Sequence, residues 1–168
     1  MKGFIKIVLI KLIKWIGKTK LGNGIFNLIR ADVMEQTKNV THNNLNFIFS
    51  VPNELNIWRV KTFSTKEPET LQWMDDFQDE SIFWDIGANV GLYSCYAAKK
   101  SNCKVFAFEP SVFNLELLAR NIYNNNLSNQ VTIIPLPLSD SIVKSKLNLS
   151  SKNWGGAMSS FGVNHGQD

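Results

Sequence analysis

The segment from Ser81 to Ile134 constrains the fold more than any other part of the chain, because short apolar runs alternate in it with helix-like stretches. "SIFWDIG" is a short apolar strand, "VGLYSCYAAKK" has the make-up of a compact helix, and "KVFAFEP" is a second apolar strand. "VFNLELLARNIYNNN" follows as a second helix, with Ser111 placed to cap it, and "VTII" opens a third strand. Strands apolar along their whole length belong in a parallel sheet covered on both faces, and strand–helix–strand repetition builds one. The sequence therefore predicts an α/β fold with a doubly wound, Rossmann-like sheet. Lys99 and Lys100 close the first helix, where the helix dipole favours cations. Pro135 and Pro137 are tolerable if the third strand is an edge, as a 3-2-1 strand order makes it.

Three divisions are expected: residues 1–30, 31–80 and 81–168. In the middle one, "LNFIFSV" places Leu45, Phe47, Phe49 and Val51 at period two, as in a half-buried strand. Pro52-Asn53 marks a turn, and Leu55–Val60 reads as the returning strand of a hairpin. Ser64 and Glu67 have capping-box spacing and Pro68 suits a first helical turn, so Leu71, Met74 and Phe77 would line the buried face of a helix. Residues 17–44 show little periodicity. Near the end, "KSKLNLSS" could add a short strand, and the Gly- and Ser-rich "NWGGAMSSFGVNHGQD" reads as a substrate-side loop or a tail.

The charge is unevenly divided. The chain of 168 residues has a net charge of +4, yet residues 1–30 hold six lysines and Arg30 and no acid. The remainder carries 11 bases against 14 acids, which argues against a nucleic-acid-binding face on the globular part. "FIKIVLIKLIKWI", residues 4–16, would make a helix about 20 Å long against a bilayer core of about 30 Å. It is too short and too charged for a span, and no signal-peptide cleavage pattern follows it. Peripheral contact of residues 1–20 with an anionic membrane is one reading. A helix packed on the domain with its lysines snorkelling is the other. Cys95 and Cys103 lack metal-ligand or disulfide-framework spacing, which suits a reducing, cytoplasmic compartment, and no metal site is expected.

The turn "DIGANVG" carries the chemistry. A glycine turn after the first strand of such a sheet receives a ligand at the strand's carboxyl end. A dinucleotide site would read G-x-G-x-x-G, but here Asn89 stands where the second glycine would be, and Asp85 faces the ligand. Two like charges about 4 Å apart repel by roughly 4 kcal/mol near a protein surface, so a phosphate is disfavoured. S-adenosylmethionine carries an ammonium and a sulfonium and no phosphate, and Asp85 would attract that end while Gly87 and Gly91 leave room beside it. Glu109 ends the second strand 24 residues after Asp85, near the distance at which an acid contacts ribose hydroxyls in nucleotide-binding α/β domains. Asp85 as a helix cap and Glu109 as a solvated loop acid are the competing structural explanations.

Three quoted stretches, "FWDIGANVGLYSCYAA", "VFAFEPSVFNLELLARNIYNNNL" and "VTIIPLPLSD", resemble the N-terminal half of FkbM-like S-adenosylmethionine-dependent methyltransferases, and "FSTKEPETLQWMDDF" resembles the segment leading into it. The resemblance spans roughly residues 63–160. It implies a class I methyltransferase fold, usually acting on oxygen of a small molecule or glycan. It also implies cofactor roles for Asp85, Gly87, Asn89, Gly91 and Glu109, with Ser139 or Asp140 near the adenine. The family continues with an I-K-I-D-V-E/D-G-like strand that is missing here. Only 88 residues run from Ser81 to the end, so an incomplete sheet is expected, truncated at the C-terminus, with catalytic groups beyond Asp168 and no turnover by this chain alone. No catalytic base is assigned, since neither His42 nor His165 sits in an acid–base constellation. The competing functions are an NAD-dependent or nucleotide-sugar oxidoreductase and a non-catalytic, cofactor-binding or membrane-surface fragment.

Overall fold

The computed structural model describes residues 2–162; His165 lies outside them. The described residues fall into two compact units, one up to Gln36 and one from Thr37 on. The first unit is a pair of helices, α1 (Lys2–Ile16) and α2 (Lys20–Glu35). Thr19 separates them and caps α2, its Oγ1 accepting from the Gly22 amide at 3.0 Å. The second helix falls where the sequence shows little periodicity. Large apolar side chains on all sides of α1 are exposed, from Phe4 and Ile7 to Leu12 and Trp15. No helix among the described residues is long and apolar enough to cross a membrane.

The second unit opens with a hairpin that is displaced from the expected one. Its strands are β1 (Thr37–His42) and β2 (Leu45–Ser50), paired antiparallel. Asn43 and Asn44 form the turn with φ of 47° and 62°, the left-handed pair that a two-residue hairpin loop requires. Leu55–Val60, expected as the returning strand, lies instead within helix α3 (Glu54–Lys61). The reason is Asn53: its side chain accepts from the Asn56 amide at 2.9 Å and starts a helix where a turn was expected. Two short helices follow, α4 (Phe63–Lys66) and α5 (Pro68–Asp75). Pro68 takes the first helical position and Leu71 and Met74 are buried, as expected. The capping box does not form: Ser64 lies inside α4, and its hydroxyl pairs with His42 Nδ1 at 2.9 Å.

From Ile82 the chain alternates as the sequence predicts: β3 (Ile82–Ile86), α6 (Leu92–Ser101), β4 (Lys104–Phe108), α7 (Val112–Asn124) and β5 (Val131–Ile134). The three strands form a parallel sheet in the order β3-β4-β5, so β5 is an edge and Pro135 and Pro137 fall beyond its end. A short antiparallel pair, β6 (Leu147–Asn148) with β7 (Ser160–Phe161), closes the described chain. The fold is α/β, with a Rossmann-like parallel sheet.

Hairpin, helices and sheet share one core. Phe47, Phe49, Phe63 and Tyr96 are buried together, with the Phe63 and Tyr96 rings 5.8 Å apart edge to face. Asn121 of α7 and Asn125, which caps the helix at its C-terminus, extend this packing by bonding to main chain as another strand would. Asn121 Oδ1 accepts from Ser50 N at 2.8 Å and Asn125 Oδ1 from Ile48 N at 3.0 Å, while Asn121 Nδ2 donates to Val90 O at 2.7 Å. One helix thus holds both the hairpin and the Asp85–Gly91 turn. One face of β3 presents Ile82, Trp84 and Ile86 to solvent, at 66%, 56% and 64% exposure, so among the described residues that face is bare where a sheet covered on both faces was expected; β3 is also an edge by strand order.

Candidate functional site

The parallel register sets Asp85 beside Ala107 and Ile86 beside Phe108, so Asp85 and Glu109 finish adjacent strands at the same end of the sheet. The chain then turns back sharply. Gly87 N and Ala88 N both donate to Phe108 O, at 2.9 and 3.0 Å. Gly87 (φ 83°), Asn89 (φ 52°) and Gly91 (φ 79°) are all left-handed, so the turn needs residues that tolerate that region at alternate positions.

The two glycines have different reasons to be glycine. A Cβ at Gly87 would meet nothing within 4 Å, leaving its backbone open to a ligand. A Cβ at Gly91 would lie 2.3 Å from Leu118 Cδ1, so that glycine lets α7 pack against the start of α6 rather than making room for a ligand. Asn89 uses its left-handed conformation to bond on every side. Its Oδ1 accepts from Val90 N at 3.0 Å and its Nδ2 donates to Gly156 O at 2.8 Å. Its amide donates to Glu109 Oε2, also at 2.8 Å.

Asp85, 9% exposed, lines a pocket of about 240 Å³. The Ser94 hydroxyl donates to its Oδ2. Burial pushes the carboxyl above its usual range and the nearby Glu109 charge adds to this, against the lowering effect of Ser94. No basic side chain pairs with Asp85 among the described residues. Glu109, 5% exposed, is already engaged: Oε2 holds the Asn89 amide and Oε1 the Ser111 amide at 2.8 Å. It braces the turn and starts α7 from beside the pocket, outside its lining. Each of its oxygens can still accept one further bond.

The remaining walls come from residues to which sequence reasoning assigned structural places but no ligand role. Arg59, Thr62, Phe63, Lys66 and Glu67 line one side, and Leu92 and Tyr93 another. Lys66 Nζ lies 2.5 Å from Glu67 Oε1, and Tyr93 OH donates to Glu67 Oε2 at 2.9 Å. Burial and then the Glu67 hydrogen bond push the Tyr93 hydroxyl well above its usual range, so it is a donor and not a base. The signal for Arg59 was obscured by reading its segment as a strand; as part of a capped helix it points to this pocket.

The "NWGGA" segment is a strap fixed over the turn. Asn53 Nδ2 and Asn56 Nδ2 each donate to Trp154 O at 3.0 Å, Asn114 Oδ1 accepts from Gly155 N at 3.0 Å, and Asn114 Nδ2 donates to Gly156 O, also at 3.0 Å. Arg59 Nε and Nη2 donate to Gly155 O at 3.0 and 2.6 Å. Ala157 then borders the pocket. Ser139 and Asp140 are not brought here: both are exposed, bonded to each other at 3.3 Å, and absent from the lining. His42 is also elsewhere, between the Phe63 and Tyr96 rings. Cys95 and Cys103 are free, buried thiols, Cys95 pushed up by burial, and neither is a nucleophile. No group of acids, histidines or cysteines that could hold a metal occurs among the described residues.

No family model matches the chain. A curated relative, the hexuronic acid methyltransferase AglP of Haloferax volcanii, is 29% identical over 73 residues, which cover 44% of this chain and 30% of that protein. The chain therefore matches under a third of that relative's length. Among solved structures, the TYW2 of M. jannaschii in complex with AdoMet is 24% identical with a TM-score of 0.44, covering 60% of this chain and 43% of the other. The SAM-dependent methyltransferase from Agrobacterium tumefaciens is 13% identical with a TM-score of 0.45, covering 59% and 32%.

Proposed function

We propose that the chain provides the cofactor-binding elements of an S-adenosylmethionine-dependent methyltransferase of the FkbM-like kind, acting on oxygen of a small molecule or glycan. The observation that carries this reading is Asp85, a buried carboxylate that lines the pocket and that no basic side chain pairs with among the described residues. Burying a charge unpaired is costly, and the cost falls when a ligand brings the opposite charge. S-adenosylmethionine fits on that account, since its ammonium and sulfonium are cations and the open backbone at Gly87 admits it closely. The curated relative supports the same class, because its name describes methylation of a hexuronic acid.

The residues divide the work. Asp85 would hold the cationic end of the cofactor, Gly87 and Ala88 would pass beneath it, and Glu109 would offer its remaining lone pairs to the ribose hydroxyls. The cofactor supplies an electrophilic methyl group on sulfur. The protein's part is to exclude water and hold the acceptor oxygen in line, which positioning alone can largely accomplish. Ser139 and Asp140 would reach the adenine only from a loop apart from this pocket.

An NAD-type reading is disfavoured by Asn89, whose side chain spans from Val90 N to Gly156 O where a pyrophosphate would need bare backbone. Titration calorimetry with S-adenosylhomocysteine and with NAD tests the choice. Binding of the first and not the second is expected, and tighter binding of NAD would remove the proposal.

A second reading concerns location. Helix α1 exposes its apolar side chains on all sides, and residues 1–30 carry seven bases and no acid. We infer that residues 1–20 lie on an anionic membrane surface, with the lysines meeting headgroups and the apolar side chains entering the interface.

A further inference from the structure

The pocket holds a second uncompensated charge, opposite in sign to Asp85. Arg59 reaches its wall from α3 and spends Nε and Nη2 on the Gly155 carbonyl. A guanidinium has more N–H donors than one carbonyl uses, and the others find no partner among the described residues. The acids that act on it are already engaged. Glu67 is bonded to Lys66 and Tyr93, and Glu109 to the amides of Asn89 and Ser111. Burial pulls the guanidinium below its usual value, and the attraction of Glu67 and Glu109 does not cancel this. The cation is thus held by a neutral carbonyl, half desolvated and facing the ligand space.

We propose that Arg59 is the carboxylate-binding arm of this pocket, placed to receive an anionic group of the ligand while Asp85 receives a cationic one. The planar fork suits a carboxylate, which can take two parallel N–H bonds. Two sources share this chemistry: the α-carboxylate of the cofactor's own amino-acid end, and a carboxylate on the acceptor, as in a sugar acid. Naming those sources rests on the proposed function; the carboxylate site itself rests on Arg59.

The test is calorimetry on the full chain with four probes: S-adenosylhomocysteine, 5′-methylthioadenosine, which lacks the amino-acid end, glucuronate and glucose. If the cofactor is the source, Arg59→Gln weakens S-adenosylhomocysteine roughly ten- to a hundredfold and leaves 5′-methylthioadenosine unchanged. If the acceptor is the source, the same variant removes the preference for glucuronate over glucose and spares S-adenosylhomocysteine. Arg59→Lys, which keeps the charge, should restore part of either loss, as a merely structural defect would not. Both ratios unchanged in Arg59→Gln would overturn the proposal. Should that variant not fold, the wild-type chain decides: equal binding of S-adenosylhomocysteine and its carboxamide, together with equal binding of glucuronate and glucose, would also overturn it. Wild type that ignores S-adenosylhomocysteine yet prefers glucuronate through Arg59 would sink the methyltransferase reading and leave this one standing.

Discussion

Replacing Asp85 by Asn should move stability and affinity in opposite directions, which no purely structural role predicts. The folded-state pKa of Asp85 is raised by burial, so the native state holds the proton more tightly than the unfolded chain. The sign follows from linkage. Stability is greatest below the unfolded value near pH 4, falls as pH rises toward the folded pKa, and stays low above it. Each tenfold difference in proton affinity between the two states is worth about 1.4 kcal/mol. The Asp85→Asn change would remove this loss while keeping an oxygen to accept from the Ser94 hydroxyl. At neutral pH the variant is therefore expected to be at least as stable as wild type in urea or thermal unfolding.

Affinity should respond the other way. A carboxylate-to-ammonium hydrogen bond contributes about 1.5–3 kcal/mol, so the variant should bind S-adenosylhomocysteine roughly ten- to a hundredfold more weakly. In wild type a bound cation lowers the Asp85 pKa again. Binding near the apo pKa should release a proton, and affinity should rise with pH through that range. Calorimetry in buffers of different ionisation heat measures the release, which Asp85→Asn should abolish. A variant that binds as wild type, or that loses more than about 1 kcal/mol of stability at neutral pH, would refute the reasoning; the second result would make Asp85 a structural cap.

Glu109→Gln should lower stability as well as affinity. One of its two positions toward the Asn89 and Ser111 amides becomes a donor facing a donor, at a cost of about 1–3 kcal/mol in urea unfolding. Gly91→Ala should destabilise by about 1–3 kcal/mol, since the added Cβ meets Leu118 and φ is 79°; a Gly91→Ala/Leu118→Ala pair should recover the steric part in a double-mutant cycle, and additive losses would exclude that contact. For residues 1–20, sedimentation with anionic vesicles should weaken as salt rises, the Debye length falling from about 10 Å at 0.1 M to about 3 Å at 1 M, and equal binding to neutral and anionic vesicles would exclude the electrostatic contribution.

The sheet was legible because its strands are short and predominantly apolar while its helices mix apolar with polar residues. That contrast survives in "KVFAF" and "VTII" without tertiary information. The hairpin was legible only in part, since alternation identified Leu45 to Phe49 but not the partner. The decisive signal was local: Asn43-Asn44 supplies two left-handed residues, whereas Pro52-Asn53 offers one turn residue and one helix cap. A capping asparagine and a turn asparagine are the same letter, and the next residues settle which it is. Asn121 and Asn125, in and just after α7, were illegible for the opposite reason. Their partners, Ser50 and Ile48, lie more than 70 positions away, and no local pattern reports a side chain that bonds a distant main chain.

In the site, the residues read from spacing are those that the backbone itself requires. Gly87, Asn89 and Gly91 are fixed by left-handed φ, and Asp85 and Glu109 by adjacent strand ends, so a motif along one stretch could expose them. The residues that give the pocket its second charge come from elsewhere. Arg59 belongs to a helix before the sheet and is oriented by Gly155, 96 positions later. Nothing in either segment alone specifies that meeting; it follows from Asn53 and Asn56 binding Trp154 O and Asn114 binding Gly155 N, which bring the strap onto α3. The motif thus specifies where a cation is wanted. The strap's asparagine contacts determine that a second, opposite charge faces the same space, and the chemistry of the ligand is read from the two together.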